Sequence, residues 1–80
     1  MNIRECVANR ILELCDDRRW AINALARNAG VPPTTVKNIL SGASQNPGIV
    51  TIKMLCDGFG ITLEEFFATD AFRQLEQEIK

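Results

Sequence analysis

Between residues 22 and 40 the chain sets two short apolar stripes on either side of a break, Gly30-Val31-Pro32-Pro33, too tight for an ordinary loop. Leu25, Ala26 and Ala29 fall at i, i+1 and i+4, one stripe of a short helix. Val36, Ile39 and Leu40 make a second stripe ten residues on. Gly30 supplies the left-handed residue that ends the first helix without a Cβ penalty. Pro33, in the first turn of the second, sacrifices no hydrogen bond, because that amide has no helical partner anyway. Small Ala26 lets the two helices approach closely. The spacing therefore predicts two short helices folded against each other across a glycine turn, a helix-turn-helix.

Leu25-Ala26, Gly30-Val31, Val36 and Ile39 together resemble the helix-turn-helix of the lambda-repressor/Cro-like family of bacterial and phage regulators. The resemblance runs outward over roughly residues 8–68. Ile11 and Leu14 look like that family's first-helix core pair, and Trp20 like its large apolar residue before the second helix. Asn46-Pro47, Thr51, Leu55 and Gly60-Ile61-Thr62-Leu63 look like its fourth and fifth helices. The resemblance implies an all-α domain of five or six helices whose third helix enters the major groove of double-stranded DNA. It also implies a homodimer on two half-sites, most simply a repressor.

Eighty residues make one small domain, which buries only about 60% of its unfolded surface. Residues 1–69 read as the DNA-binding part and 70–80 as a C-terminal helix of the same domain. Apolar content of 46% and charged content of 24% are ordinary for a globule. No apolar run approaches the roughly 20 residues of a membrane span, and MNIRECVANR lacks a secretory hydrophobic stretch. A cytoplasmic protein is expected. Cys6, Cys15 and Cys56 are odd in number, in no CxxC spacing and without a histidine in the chain, which reads as reduced thiols and no metal site. No cofactor or small-molecule ligand is expected. No phosphate loop or nucleophile–base pair can be named, so catalysis is not expected either.

The net charge of −1 hides a sorted distribution. Residues 1–17 net −2 and residues 54–80 net −4, whereas residues 18–53 carry Arg18, Arg19, Arg27, Lys37 and Lys53 with no acid. The positive segment is the helix-turn-helix and the loop after it, where phosphates would lie.

Along the chain, Ile3, Val7, Ile11 and Leu14 share one face of a helix over residues 3–17. Trp20 is expected to pack back onto that helix like a hydrophobic staple. The second helix is expected from Ile22 to Ala29, with Ala21 at its N-cap. The third is expected to begin at Pro33, with Pro32 extended before it. Neither cap position carries the hydroxyl or amide that such positions favour. A fourth helix is expected to open on Thr51 and end at Gly60. Thr62-Leu63-Glu64-Glu65 fits a capping box for a fifth. Asp70 is expected to cap a last helix, Ala71–Ile79, with Phe72, Leu75 and Ile79 as an apolar stripe. That stripe either folds back on the domain or forms a dimer seam, and the seam is preferred because the resembled regulators bind two half-sites.

The outer face of the third helix leaves Pro33, Thr34, Thr35, Lys37, Asn38 and Ser41 toward DNA. Asparagine pairs bidentately with adenine, threonine touches a thymine methyl, and lysine serves guanine or phosphate. Asn23 replaces the polar residue that the family often places at the start of the second helix. Ser44, Gln45 and Asn46, in the polar loop, suit phosphate contacts at the groove edge. Lys53 and the N-terminus of the fourth helix suit them too. The reading from another class is a protein-interaction module, such as an antitoxin whose C-terminal helix occupies a partner.

Overall fold

The computed structural model describes residues 2–79. Met1 and Lys80, the outer ends of the two expected segments, lie outside the described residues. The chain forms α1 (Ile3–Arg18), α2 (Ile22–Ala29), α3 (Pro33–Ser41), α4 (Ile49–Phe59), α5 (Leu63–Phe67) and α6 (Asp70–Arg73). No strand occurs among the described residues. The fold is all-α, as expected.

α1 begins where the Asn2 side chain accepts from the Glu5 amide at 2.9 Å. Val7, Ile11 and Leu14 are buried, but Ile3, the first member of the expected stripe, is exposed. Cys6 and Cys15 join the buried face. The helix ends on Arg19 in the left-handed conformation, and the Trp20 amide closes back on the Cys15 carbonyl at 2.9 Å.

The tryptophan packs against the core, where it meets Arg18 at the end of α1 and also reaches α4. Its ring stacks on Phe59 of α4, centroids 5.9 Å apart and planes 12° from parallel. The Arg18 guanidinium lies over both rings.

The core gathers Ile11, Leu25, Val36, Ile39, Leu55 and Phe66, all at 0–1% exposure. Each such side chain contributes roughly 1.5–3 kcal/mol by leaving water. α2 and α4 touch at Ala29 and Gly58.

Three arginines of α1 close the C-terminal ends of three other helices. Arg4 donates to the Ile39 carbonyl of α3 at 3.1 Å. Arg10 donates to the Glu65 and Phe66 carbonyls of α5 at 2.8 Å each and pairs with Glu13. Arg18 donates to the Phe59 carbonyl of α4 at 3.0 Å. The last carbonyls of a helix lack intrahelical donors and carry its negative end, so a guanidinium suits them twice over.

Two helix limits differ from expectation. α4 opens three residues early, on Ile49, with extended Gly48 as N-cap, so Thr51 lies inside the first turn instead of capping it. Glycine serves as an N-cap nearly as well as threonine. The last helix is a single turn: Thr69 stands at the N-cap, Asp70 is already helical and pairs with Arg73 at 2.8 Å, and the helix stops before Gln74. Phe72 is drawn edge-on against Phe67 at 4.9 Å and lies 6.2 Å from Phe66. Beyond it, Glu76 and Glu78 would stand at the negative end of a longer helix. With so little packing behind it, such a helix does not propagate. Phe72, Leu75 and Ile79 therefore form no common helical stripe. Phe72 belongs to the domain's own aromatic cluster, Leu75 is half-buried and Ile79 is 88% exposed.

Candidate nucleic-acid interface

The turn between α2 and α3 is built as its sequence implies. Gly30 takes φ 68° and the Val31 amide donates to the Ala26 carbonyl at 3.0 Å. Pro32 is extended at φ −58°, ψ 138°, and Pro33 opens α3. Burial of Val36 and Ile39 on one side of α3 fixes which side chains remain outside. Pro33, Thr34, Lys37, Asn38 and Ser41 are exposed and Thr35 is half-buried.

Thr35, Asn38 and Ile39 form one wall of a groove of about 140 Å³. Ser44, Pro47, Gly48 and Thr51 form the other. The groove thus brings three expected contact residues, Thr35, Asn38 and Ser44, to the N-terminus of α4. That terminus has no side-chain cap, so its first amides are open to an acceptor. The Asn38 carbonyl accepts from the Ser44 amide at 3.0 Å, which tethers the loop to α3. The Asn38 carboxamide has no partner among the described residues.

Of the other expected residues, Ser41 is occupied locally, its hydroxyl accepting from the Ala43 amide at 3.3 Å. Gln45 donates to the Gly42 carbonyl. Both bonds shape the loop, and both side chains remain exposed. Asn46 and Asn23 are exposed, but neither lines this groove. Lys53 is the fifth residue of α4, outside its first turn, and pairs with Asp57 four residues on. Gly48 and Thr51 line the groove too, beyond the side chains that the sequence marks out for contact. The Pro47-Gly48 pair was the available signal, since it marks the turn from which α4 starts.

The basic segment is less uniform than its composition implies. Arg18 is half-buried and committed to the Phe59 carbonyl and two aromatic faces, so it is a structural cation. Arg19, Arg27 and Lys37 are exposed without an ion-pair partner among the described residues. Arg27 does not pair with an acid of α1.

On the far side of the loop, Ile3, Val7, Ile49, Ile52 and Phe67 line a larger, mainly apolar cleft of about 370 Å³. Beside it Ile49 and Val50 are 64% and 70% exposed. No metal-ligating cluster occurs among the described residues. None of their helices is long and apolar enough to cross a membrane. Burial raises the Cys15 and Cys56 thiols above their ordinary values, with Arg18 and Lys53 respectively opposing it.

A short helix, a left-handed glycine turn and a second helix with an open polar face define a helix-turn-helix domain. Residues 10–71 match the family model described as a Cro/C1-type HTH DNA-binding domain. The chain belongs to this family, and it is a DNA-binding regulator by that membership. Among solved structures it is similar to the prophage Lp1 protein 11, with 30% identity and a TM-score of 0.81. The match covers 94% of this chain and all of that one. No curated protein matches it significantly.

Proposed function

We propose that the protein is a sequence-specific regulator of transcription, most simply a repressor, that works by occupancy of its operator in the cytoplasm. α3 lies in the major groove, Asn38 and Thr34 meet base edges, and Thr35 and Ser44 line the approach. Lys37 and the open amides of α4 hold phosphates. The observation that carries this reading is Asn38: an exposed carboxamide with no partner among the described residues, on the outer face of the second helix of a helix-turn-helix. A buried or internally bonded amide would have nothing left for adenine. Two copies bind two half-sites, joined through Leu75 and Ile79, with Phe72 supporting the segment from within.

The test begins by selecting duplexes from a random-sequence pool with the purified protein. Wild type and Asn38→Ala are then titrated on the selected duplex and on an unrelated one. Asn38→Ala is expected to cost about 1–3 kcal/mol on the selected duplex and little on the other. Equal weakening of both would remove Asn38 as a reader and leave specificity to Thr34, Thr35 or DNA shape. If no duplex is enriched at all, the interaction-module reading takes its place.

A further inference from the structure

α3 has no basic side chain in its last turn, and its C-cap Gly42 makes no local closing bond. The Ser41 hydroxyl reaches the Asn38 carbonyl at 3.4 Å from within the helix, and the other donors to its final carbonyls come from outside. Asn38 receives the Ser44 amide, and Ile39 receives Nη1 of Arg4, 35 residues earlier in the chain, at 3.1 Å. The guanidinium carbon of Arg4 also lies 3.5 Å from where a Cβ on Gly42 would stand, as does Nε2 of Gln45. The end of α3 and the start of its loop are thus assembled around one half-buried guanidinium from the first turn of α1.

We propose that Arg4 is a positioning residue for sequence reading. It holds the C-terminal end of α3, and with it the angle at which Thr34 and Asn38 meet bases, without touching DNA itself. The inference rests on the reading of α3 as the helix in the groove. Hydrogen bonds to base edges are directional and weaken steeply when misaligned. Attraction to phosphates is not directional and tolerates a tilt. Loosening the clamp should therefore erode discrimination before it erodes affinity for DNA in general.

Arg4→Met keeps the apolar stem and removes every donor, and Arg4→Lys keeps the charge but loses the planar fork. Both are titrated beside wild type and Asn38→Ala on the selected and unrelated duplexes, at several salt concentrations. Amide exchange of α3 in the free protein is followed in parallel. Arg4→Met should lose about tenfold on the selected duplex, the worth of one hydrogen bond to a charged group. It should stay within about twofold on the unrelated one, with the salt slope unchanged and exchange faster at the end of α3. Arg4→Lys should fall between, about threefold below wild type in discrimination.

Equal losses on both duplexes, with a slope shallower by about 0.9, would make Arg4 a phosphate ligand and overturn the inference. So would an unchanged discrimination ratio in folded Arg4→Met. Should Arg4→Met fail to fold, Arg4→Lys decides: an intermediate ratio supports the assignment and a wild-type ratio overturns it. Loss in Asn38→Ala without loss in Arg4→Met overturns the Arg4 assignment alone. Loss in neither takes α3 out of the groove and ends both readings.

Discussion

Gly58 of α4 lies so close to Ala29 of α2 that a Cβ added to the glycine would stand 2.8 Å from the Ala29 Cβ and 2.9 Å from its Cα. The two helices meet backbone to backbone there, and the neighbour in the way is rigid.

Gly58→Ala should consequently destabilise the protein. Alanine gains about 1 kcal/mol of helix propensity over glycine, whereas forcing a methyl into a packed contact costs about 1–3 kcal/mol. A net loss is expected, read as a lower urea midpoint at unchanged m-value. A rise in midpoint would mean that α2 and α4 can part there at little cost.

Ala21 takes the extended conformation of an N-cap, φ −72° and ψ 160°, with no side-chain acceptor. Ala21→Ser should add roughly 1 kcal/mol. Pro32→Ser, at the corresponding place before α3, should add less, because losing the proline frees the unfolded chain. Chemical denaturation of the two variants checks the order, and equal gains would contradict it.

Lys37 and Lys53 should part company in salt titrations. Lys37 is an exposed cation on α3 without an ion-pair partner among the described residues, and Lys53 is held by Asp57. Lys37→Ala should flatten the slope of log K against log salt by about 0.9 on every duplex. Lys53→Ala should leave it unchanged. The opposite pattern would shift the phosphate track from α3 to α4.

Sedimentation tests the two-copy arrangement. Ile79→Glu alters a side chain 88% exposed in the single chain, so helical content should not change. The mass should fall to that of one chain, and affinity for a two-half-site duplex should fall by about a hundredfold with the lost linkage. A variant that stays dimeric would place the seam elsewhere, and the exposed Ile49 and Val50 would be the next positions to change.

The buried thiols set an alkaline limit. With Cys15 and Cys56 raised above their ordinary values by burial, the unfolded chain releases these protons first, near pH roughly 8.5. Their contribution is whole below that pH and is lost as pH rises through the folded values. Urea midpoints should therefore decline above about pH 9 in wild type, and decline less in a Cys15→Ala, Cys56→Ala double variant.

Where periodicity and punctuation agree, the sequence is an accurate guide. Gly30 and Pro33 bracket α2 and α3 at the limits observed. The capping box of Thr62 and Glu65 forms with both bonds at 3.0 Å. Its guidance fails where a residue's role depends on distant chain. Gly48 caps α4 silently, and the exposed Ile49 and Val50 that follow carry no helical stripe to announce the start. Phe72, Leu75 and Ile79 have helical spacing, but the aromatic cluster takes Phe72 and the segment unwinds beyond it. Arg18 and Lys37 look alike as charges in one basic run. Only the fold shows that the first serves a carbonyl of α4 while the second is exposed with no ion pair among the described residues.

Arg4 and Arg18 of α1 answer carbonyls, and that choice separates the two halves of the protein's response to its surroundings. An arginine paired with carboxylates weakens as salt screens it and as acid removes its partner. A carbonyl has no charge to screen and no proton to gain. Arg4 and Arg18, which answer carbonyls and no carboxylate among the described residues, should thus hold their helices together in brine or mild acid that would weaken binding to phosphates. Such a protein can be washed off its DNA by ionic strength alone and recovered folded, ready to bind again when the salt is withdrawn.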